Sequence, residues 1–227
     1  MYELYIANKN YSSWSLRPWV LMRELGIDFA ERLLQFGQTA AWESYRQIAP
    51  SGTVPCLVDG AAKVWDSLAI AEYLAERHAG VWPEDAAARA WARSASAEMH
   101  SGFAELRTRC SMSCGIRVRL HEIPPPLERD LVRLGSLWDE GLERFGGPFL
   151  ADAAFTAVDA FFAPVAFRIQ TYAPPLAAAA AAYAARLLSL PAMQAWYADA
   201  LQERFRDEAH EREVPRFGLV TQDLRLA

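Results

Sequence analysis

The sequence predicts a mixed α/β domain over residues 1–80 followed by an all-helical domain over residues 86–227. Strand-period and helix-period windows alternate through the first part, whereas only helix-period windows follow Gly80. Between them Gly80-Val81-Trp82-Pro83-Glu84-Asp85 supplies turn formers and a helix start, which places the boundary there. A chain of 227 residues can build two cores of modest size.

Glu3 to Ala7 reads as a short strand, and Ser15 to Leu25 as a helix that carries Leu16, Trp19, Val20, Leu21 and Met22 and stops at Gly26. Phe29 to Phe36 reads as a second strand and Ala40 to Gln47 as a short helix. Val54 to Val58 and Lys63 to Trp65 flank Asp59-Gly60-Ala61-Ala62, where Asp-Gly between apolar runs signals a hairpin. A helix from Ser67 to His78 closes the unit. The order β-α-β-α-β-β-α is that of thioredoxin-like folds, in which helices cover a mixed four-stranded sheet. In the second part Ala86 to Arg109, Leu127 to Phe145, Ala157 to Tyr172, Leu176 to Leu188 and Ala192 to Asp207 are helical windows. Pro124-Pro125-Pro126 and Gly146-Gly147-Pro148 punctuate them, and the simplest reading is a five-helix bundle. No fixed-period repeat joins the windows, and the tail from Val214 onward has no strong period.

Composition narrows the function classes. With 52% hydrophobic and 22% charged residues the chain is rich enough in apolar surface to fold and too polar to be a membrane protein. The net charge of -5, with no basic block, disfavours nucleic acid as a partner. The acidic start at Met1-Tyr2-Glu3-Leu4 does not resemble a signal peptide, and the alanine-rich stretch from Pro174 to Tyr183 makes a poor membrane span and a reasonable helix. Three cysteines, Cys56, Cys110 and Cys114, argue against a disulfide framework and for a reducing compartment, the cytoplasm. Cys110 and Cys114 could share a helix face, but no further ligand pair stands at metal-site spacing, so no metal is expected.

Three short segments could carry chemistry. Asn10 to Trp19 lies between the first strand and the first helix and concentrates Ser12, Ser13 and Ser15. Each serine there either caps the helix or adds a hydroxyl donor to the free N–H groups that favour an anion, such as a thiolate. In Gly52-Thr53-Val54-Pro55-Cys56, Pro55 is either an ordinary trans proline at a sheet edge or a cis bond that turns the Val54 N–H and C=O outward to pair with an extended peptide. In Trp65-Asp66-Ser67-Leu68-Ala69-Ile70, Asp66 or Ser67 is an N-cap, or the Ser67 N–H and hydroxyl meet a ligand carboxylate while Asp66 faces an ammonium group.

Taken in order, the serine-rich turn, Val-Pro, and acid-Ser before Leu-Ala-Ile resemble the amino-terminal domain of glutathione transferases. Ser-Ser-Trp-Ser-Leu-Arg over residues 12–17 is similar to the Ser-Ser-Cys-Ser-x-Arg motif of zeta-class members, which include maleylacetoacetate isomerases, with Trp14 in place of the cysteine. The resemblance implies Ser12 as the residue that stabilises the glutathione thiolate, with Ser13 and Trp14 as supporting neighbours. It implies Val54 as the backbone partner of the cysteinyl moiety, Pro55 as the cis proline, and Asp66 with Ser67 as the γ-glutamyl clamp. Thr156-Ala157-Val158-Asp159 looks like the family's buried capping box. Glutathione would be the cosubstrate and a small electrophile the second substrate, in detoxification chemistry carried out by a homodimer. Arg107, Arg109, Met112 and Arg117 are the candidate substrate pocket, while His100 reads as structural. The competing expectation is a non-catalytic glutathione transferase-like binding or assembly module, because fold does not fix function.

Overall fold

The computed structural model describes residues 1–226. Its first part consists of β1 (Tyr2–Ala7), α1 (Ser13–Glu24), β2 (Phe29–Leu34), α2 (Thr39–Tyr45), β3 (Cys56–Asp59), β4 (Ala62–Trp65) and α3 (Ser67–Ala75). The strands form one sheet in the order β2-β1-β3-β4. β1 pairs parallel to β2, with Tyr2 opposite Phe29, and antiparallel to β3, with Leu4 opposite Leu57. Leu4 and Ile6 are fully buried, as period-two alternation on an inner strand requires. The β3–β4 hairpin closes through Gly60-Ala61, and Gly60 at φ +58° supplies the left-handed residue that a two-residue hairpin turn needs. This is a thioredoxin-like domain with a mixed four-stranded sheet.

The remainder contains α4 (Ala86–Ser101), α5 (Ala104–Arg109), β5 (Ile116–Leu120), α6 (Pro125–Phe145), α7 (Ala157–Tyr172), α8 (Ala178–Leu188), α9 (Pro191–Gln202), α10 (Glu208–Phe217) and β6 (Gly218–Asp223). α7 lies at the centre, apolar on nearly every side and packed on α1, α4 and α8. Pro125 and Pro126 do not separate helices but stand in the first turn of α6, where a missing N–H costs nothing.

Three expectations are corrected. The single helix expected over 86–109 breaks after Ser101: a Cβ at Gly102 would come within 2.8 Å of the Glu98 carbonyl, and Phe103 is left-handed at φ +55°. Asp130 of α6 then accepts the Leu106 N–H at 3.0 Å, so the new helix start is capped from outside. Seven helices therefore replace five among the described residues. The unpatterned tail is also ordered, because α10 leads into β6, which pairs antiparallel with β5. Finally, Cys110 ends α5 and Cys114 lies in the loop after it, so they share no helix face. Both are buried free thiols, and burial raises Cys110 to about 12, which leaves it inert at neutral pH.

The capping box opens α7. The Thr156 N–H donates to the Asp159 carboxylate at 2.9 Å, while the Leu150 N–H at 3.0 Å and the Tyr183 hydroxyl at 2.6 Å use its other oxygen. Asp159→Ala leaves these buried donors unpaired and is expected to cost about 3 kcal/mol or more in urea unfolding. Burial, opposed by the same hydrogen bonds, lifts the Asp159 carboxyl from an ordinary 3.8 to about 6. The folded state thus binds the proton more tightly. The stability this group supplies is full below its ordinary value and lost as pH rises through about 6. Asp159→Asn should flatten the fall in unfolding free energy over that window, measured by urea titrations at a series of pH values.

Candidate functional site

The loop from β1 into α1 is buried although it is polar. Asn8, Lys9, Asn10 and Ser12 are all at most 6% exposed. Its partners come mostly from the helical domain. The Glu203 carboxylate accepts the Lys9 and Asn10 N–H groups at 2.7 and 3.1 Å, Trp196 donates to the Lys9 carbonyl at 2.8 Å, and the Asn10 carbonyl accepts the Cys114 N–H at 3.1 Å. The Lys9 ammonium is neutralised by Glu31 at 2.9 Å and Asp199 at 2.6 Å. The serine turn is thereby held still at the N-terminus of α1, where unpaired N–H groups gather.

A cleft of about 720 Å³ opens beside that turn. Ser12, Ser13 and Trp14 line it together with Val54, Pro55, Asp66 and Ser67, so the three separated segments meet at one place. Of the residues assigned to a substrate pocket, Arg107 and Met112 share this cleft. Arg109 and Arg117 lie outside its lining: Arg109 pairs with Glu105 at 2.8 Å, and Arg117 donates to the Tyr197 hydroxyl at 3.1 Å. Trp19 faces the core and donates to Glu31 at 2.6 Å.

The Ser12 hydroxyl donates to the Ser15 hydroxyl at 2.7 Å, and Ser15, fully buried, accepts the Ala7 N–H at 3.1 Å. The Val54–Pro55 bond is cis. None of the loop backbone hydrogen bonds among the described residues uses the Val54 N–H or carbonyl. Asp66 stands at φ +75°, a conformation costly for a residue with a side chain, and accepts the Leu68 N–H at 2.8 Å as the cap of α3. The His100 Nε2 lies 3.3 Å from the same carboxylate. Burial, against the pull of Asp66, lowers the His100 pKa, so the neutral ring donates from Nε2 and offers Nδ1 to Arg17 at 3.5 Å.

Two guanidiniums flank Trp14, and a third lines the same cleft. Arg17 stacks on the Trp14 ring at 4.3 Å, and Arg107 stacks on it at 4.5 Å. Arg168, on α7, donates to the carbonyls of Arg107 and Cys110. Burial first, then Arg107 and Arg168, pull Arg17 down to about 9, and burial pulls Arg168 to about 10; all remain cationic at neutral pH. None of the three touches a carboxylate at ion-pair distance among the described residues, and the Nε atoms of Arg17 and Arg168 are buried without a partner. Sequence reasoning missed Arg168, although an arginine inside an otherwise apolar helical window is a signal in itself.

The tail adds a wall that the sequence did not reveal. α10 contributes His210 and Glu213 to the cleft. The Tyr11 hydroxyl donates to Glu211 at 2.6 Å, the His210 ring stacks on Tyr11 at 4.9 Å, and Arg225 clamps Glu211 and Asp223.

Residues 11–77 match the family model described as glutathione S-transferase, N-terminal domain. The whole architecture is similar to a glutathione transferase homolog from Burkholderia with bound glutathione: TM-score 0.65, 23% identity, 88% of this chain and 97% of that chain covered. The fold is that of glutathione transferases. Glutathione transferase Omega 3C from Trametes versicolor is similar at TM-score 0.67 and 19% identity, over 86% of this chain and 88% of that one. Ure2p in complex with S-hexylglutathione is similar at TM-score 0.65 and 17% identity, over 86% and 97%. No curated protein sequence matches the chain significantly. Among the described residues no helix is long and apolar enough to cross a membrane, and no cluster of metal-ligating side chains is present.

Arg225→Ala removes the clamp on the tail that this glutathione transferase fold carries over its cleft. Amide hydrogen exchange in α10 and β6 is expected to quicken by about tenfold, roughly 1.4 kcal/mol of local opening, while β1 and β3 keep their protection.

Proposed function

We propose that this chain is a glutathione transferase that stabilises bound glutathione as its thiolate and presents it to a small electrophile. The observation that carries the reading is the meeting of Ser12, Val54 with cis Pro55, and Asp66 with Ser67 in one cleft, from segments far apart in the sequence. The Ser67 N–H and hydroxyl open α3 and suit the γ-glutamyl carboxylate, Asp66 suits its ammonium, and Val54 offers an extended backbone to the cysteinyl unit. Ser13 and Trp14 support the same pocket.

A free thiol titrates near about 8.5, so only a few per cent is thiolate at neutral pH. Ser12 raises that fraction by hydrogen bonding, not as a base. Its proton turns from Ser15 to the sulfur, and Ser15 donates to Ser12 in return, so the two hydroxyls keep one bond between them. The positive N-terminus of α1 acts in the same direction.

The electrophile enters over Met112, between Arg107 and Arg168. Guanidiniums without acidic partners favour an acceptor that carries a carboxylate, since buried charge is stable when paired. The reaction is conjugation, or addition and release that isomerises a cis double bond. The zeta-like run over residues 12–17 and the cationic wall support the isomerase-like variant. A two-fold dimer completes the proposal, with the exposed Trp65 edge as part of its contact.

Ser12→Ala is expected to lower kcat by about a hundredfold with little change in glutathione affinity. Ser67→Ala should weaken glutathione binding by about tenfold in titration calorimetry while kcat at saturation falls much less. Absence of saturable glutathione binding to the parent protein would leave only the fold.

A further inference from the structure

We propose that His210, oriented by Asp207, is the proton donor for addition of glutathione to conjugated acceptors in this cleft, an inference that rests on the glutathione transferase reading above. α10 sets the imidazole into the cleft wall that Ser12 and Arg168 also line. Its Nδ1 lies 2.7 Å from the Asp207 Oδ2, and Asp207 also accepts the His210 backbone N–H at 3.1 Å. The ring is further fixed between Tyr11, stacked at 4.9 Å and 27°, and Phe36 at 5.3 Å. A carboxylate on Nδ1 selects the tautomer protonated there and orients the ring, so proton exchange runs through Nε2. Nε2 has no hydrogen-bond partner among the described residues.

The other groups in the wall are poor donors. The Tyr11 hydroxyl is committed to Glu211 and pushed up to about 12 by burial and that carboxylate. Asp66 is occupied by Leu68 and His100, arginine does not release its proton in this range, and Ser12 is engaged with the sulfur. Glu213 shares the wall with His210, and Arg225 is held by Glu211 and Asp223.

The step balances without any further reactant. The thiolate pair forms the C–S bond at the β-carbon, and the C=C π pair moves onto the α-carbon and its carbonyl. The Nε2 proton of the imidazolium then goes to the α-carbon, and the neutral ring is reprotonated from water. A displacement in which glutathione expels halide from an aromatic ring leaves no carbanion that needs a proton from the enzyme. The two reaction classes therefore read His210 differently.

The test compares ethacrynic acid, a conjugated ketone with a carboxylate, and chlorodinitrobenzene, an aryl halide, in the parent protein, His210→Gln and Asp207→Asn. Thermal unfolding and glutathione calorimetry run alongside. His210→Gln is expected to lower kcat/KM for the ketone by about a hundredfold, and by at least about tenfold more than for the aryl halide. Asp207→Asn, which keeps a helix-capping oxygen, should move the same ratio in the same direction. Equal losses with both substrates, in variants that still fold and bind glutathione, would overturn the role of His210 alone. A parent protein that neither binds glutathione nor conjugates either substrate would overturn both readings.

Discussion

The structure depends on how one polar loop is buried. Asn8 to Ser12 carries backbone N–H and C=O groups into the interior, where each unpaired group would cost a few kcal/mol. The loop and the start of α1 supply part of the pairing, as the Tyr11 and Ser12 N–H groups donate to the Asn8 carbonyl at 3.1 and 2.9 Å. Glu203, Trp196, Asn10 with Cys114, and Asp199 through Lys9 complete the accounting, all but Asn10 and Lys9 from the helical domain. Docking of the two domains is therefore what fixes the turn that bears Ser12. A site assembled in this way is positioned by buried hydrogen bonds, which have one satisfied arrangement, more than by apolar packing, which tolerates small shifts.

The same docking concentrates positive charge. The chain as a whole carries -5, yet Arg17 and Arg107 converge on Trp14 and Arg168 lines the same cleft, with no carboxylate of their own. Two of them use the faces of one indole as a partial substitute for an anion, an attraction weaker than a full ion pair. Burial makes the remaining imbalance expensive, and the low dielectric that creates the expense also strengthens the attraction for an incoming anion. His100 completes the balance by staying neutral and relaying between Arg17 and Asp66.

Local patterns were legible where they were sufficient. The Asp-Gly hairpin, the helix over 157–172 and the capping box Thr156–Asp159 each depend on residues within a few positions of one another. The segments around Ser12, Val54 and Ser67 could be singled out because helix starts and prolines have local chemistry, and their meeting in one cleft is a tertiary fact. What the sequence concealed depends on distant partners. β6 has both faces largely exposed and so lacks alternation, and its pairing strand lies about a hundred residues away by its register with β5. The break at Gly102 turns on one carbonyl contact inside a continuous helical pattern. Arg109 and Arg117 stand in the same stretch as Arg107, but Arg109 pairs with Glu105 one turn back on α5, and Arg117, on β5, reaches the Tyr197 hydroxyl outside the cleft.

The tail links these points. Tyr11 precedes Ser12 directly, so its ring, stacked on His210 and bonded to Glu211, ties α10 to the very turn that the helical domain has already immobilised. A segment attached there brings His210 and Glu213 to the cleft wall beside the serine turn. Arg225 closes the attachment by bonding Glu211 and Asp223 together. The division that results is physical: the sheet domain supplies helix starts and cis proline, α7 and α5 supply cations, and the returning tail supplies the imidazole. On the reading proposed above, the acceptor side can then vary through α10 while the segments around Val54 and Ser67 keep their places, since α10 meets the sheet domain at Tyr11 and Phe36.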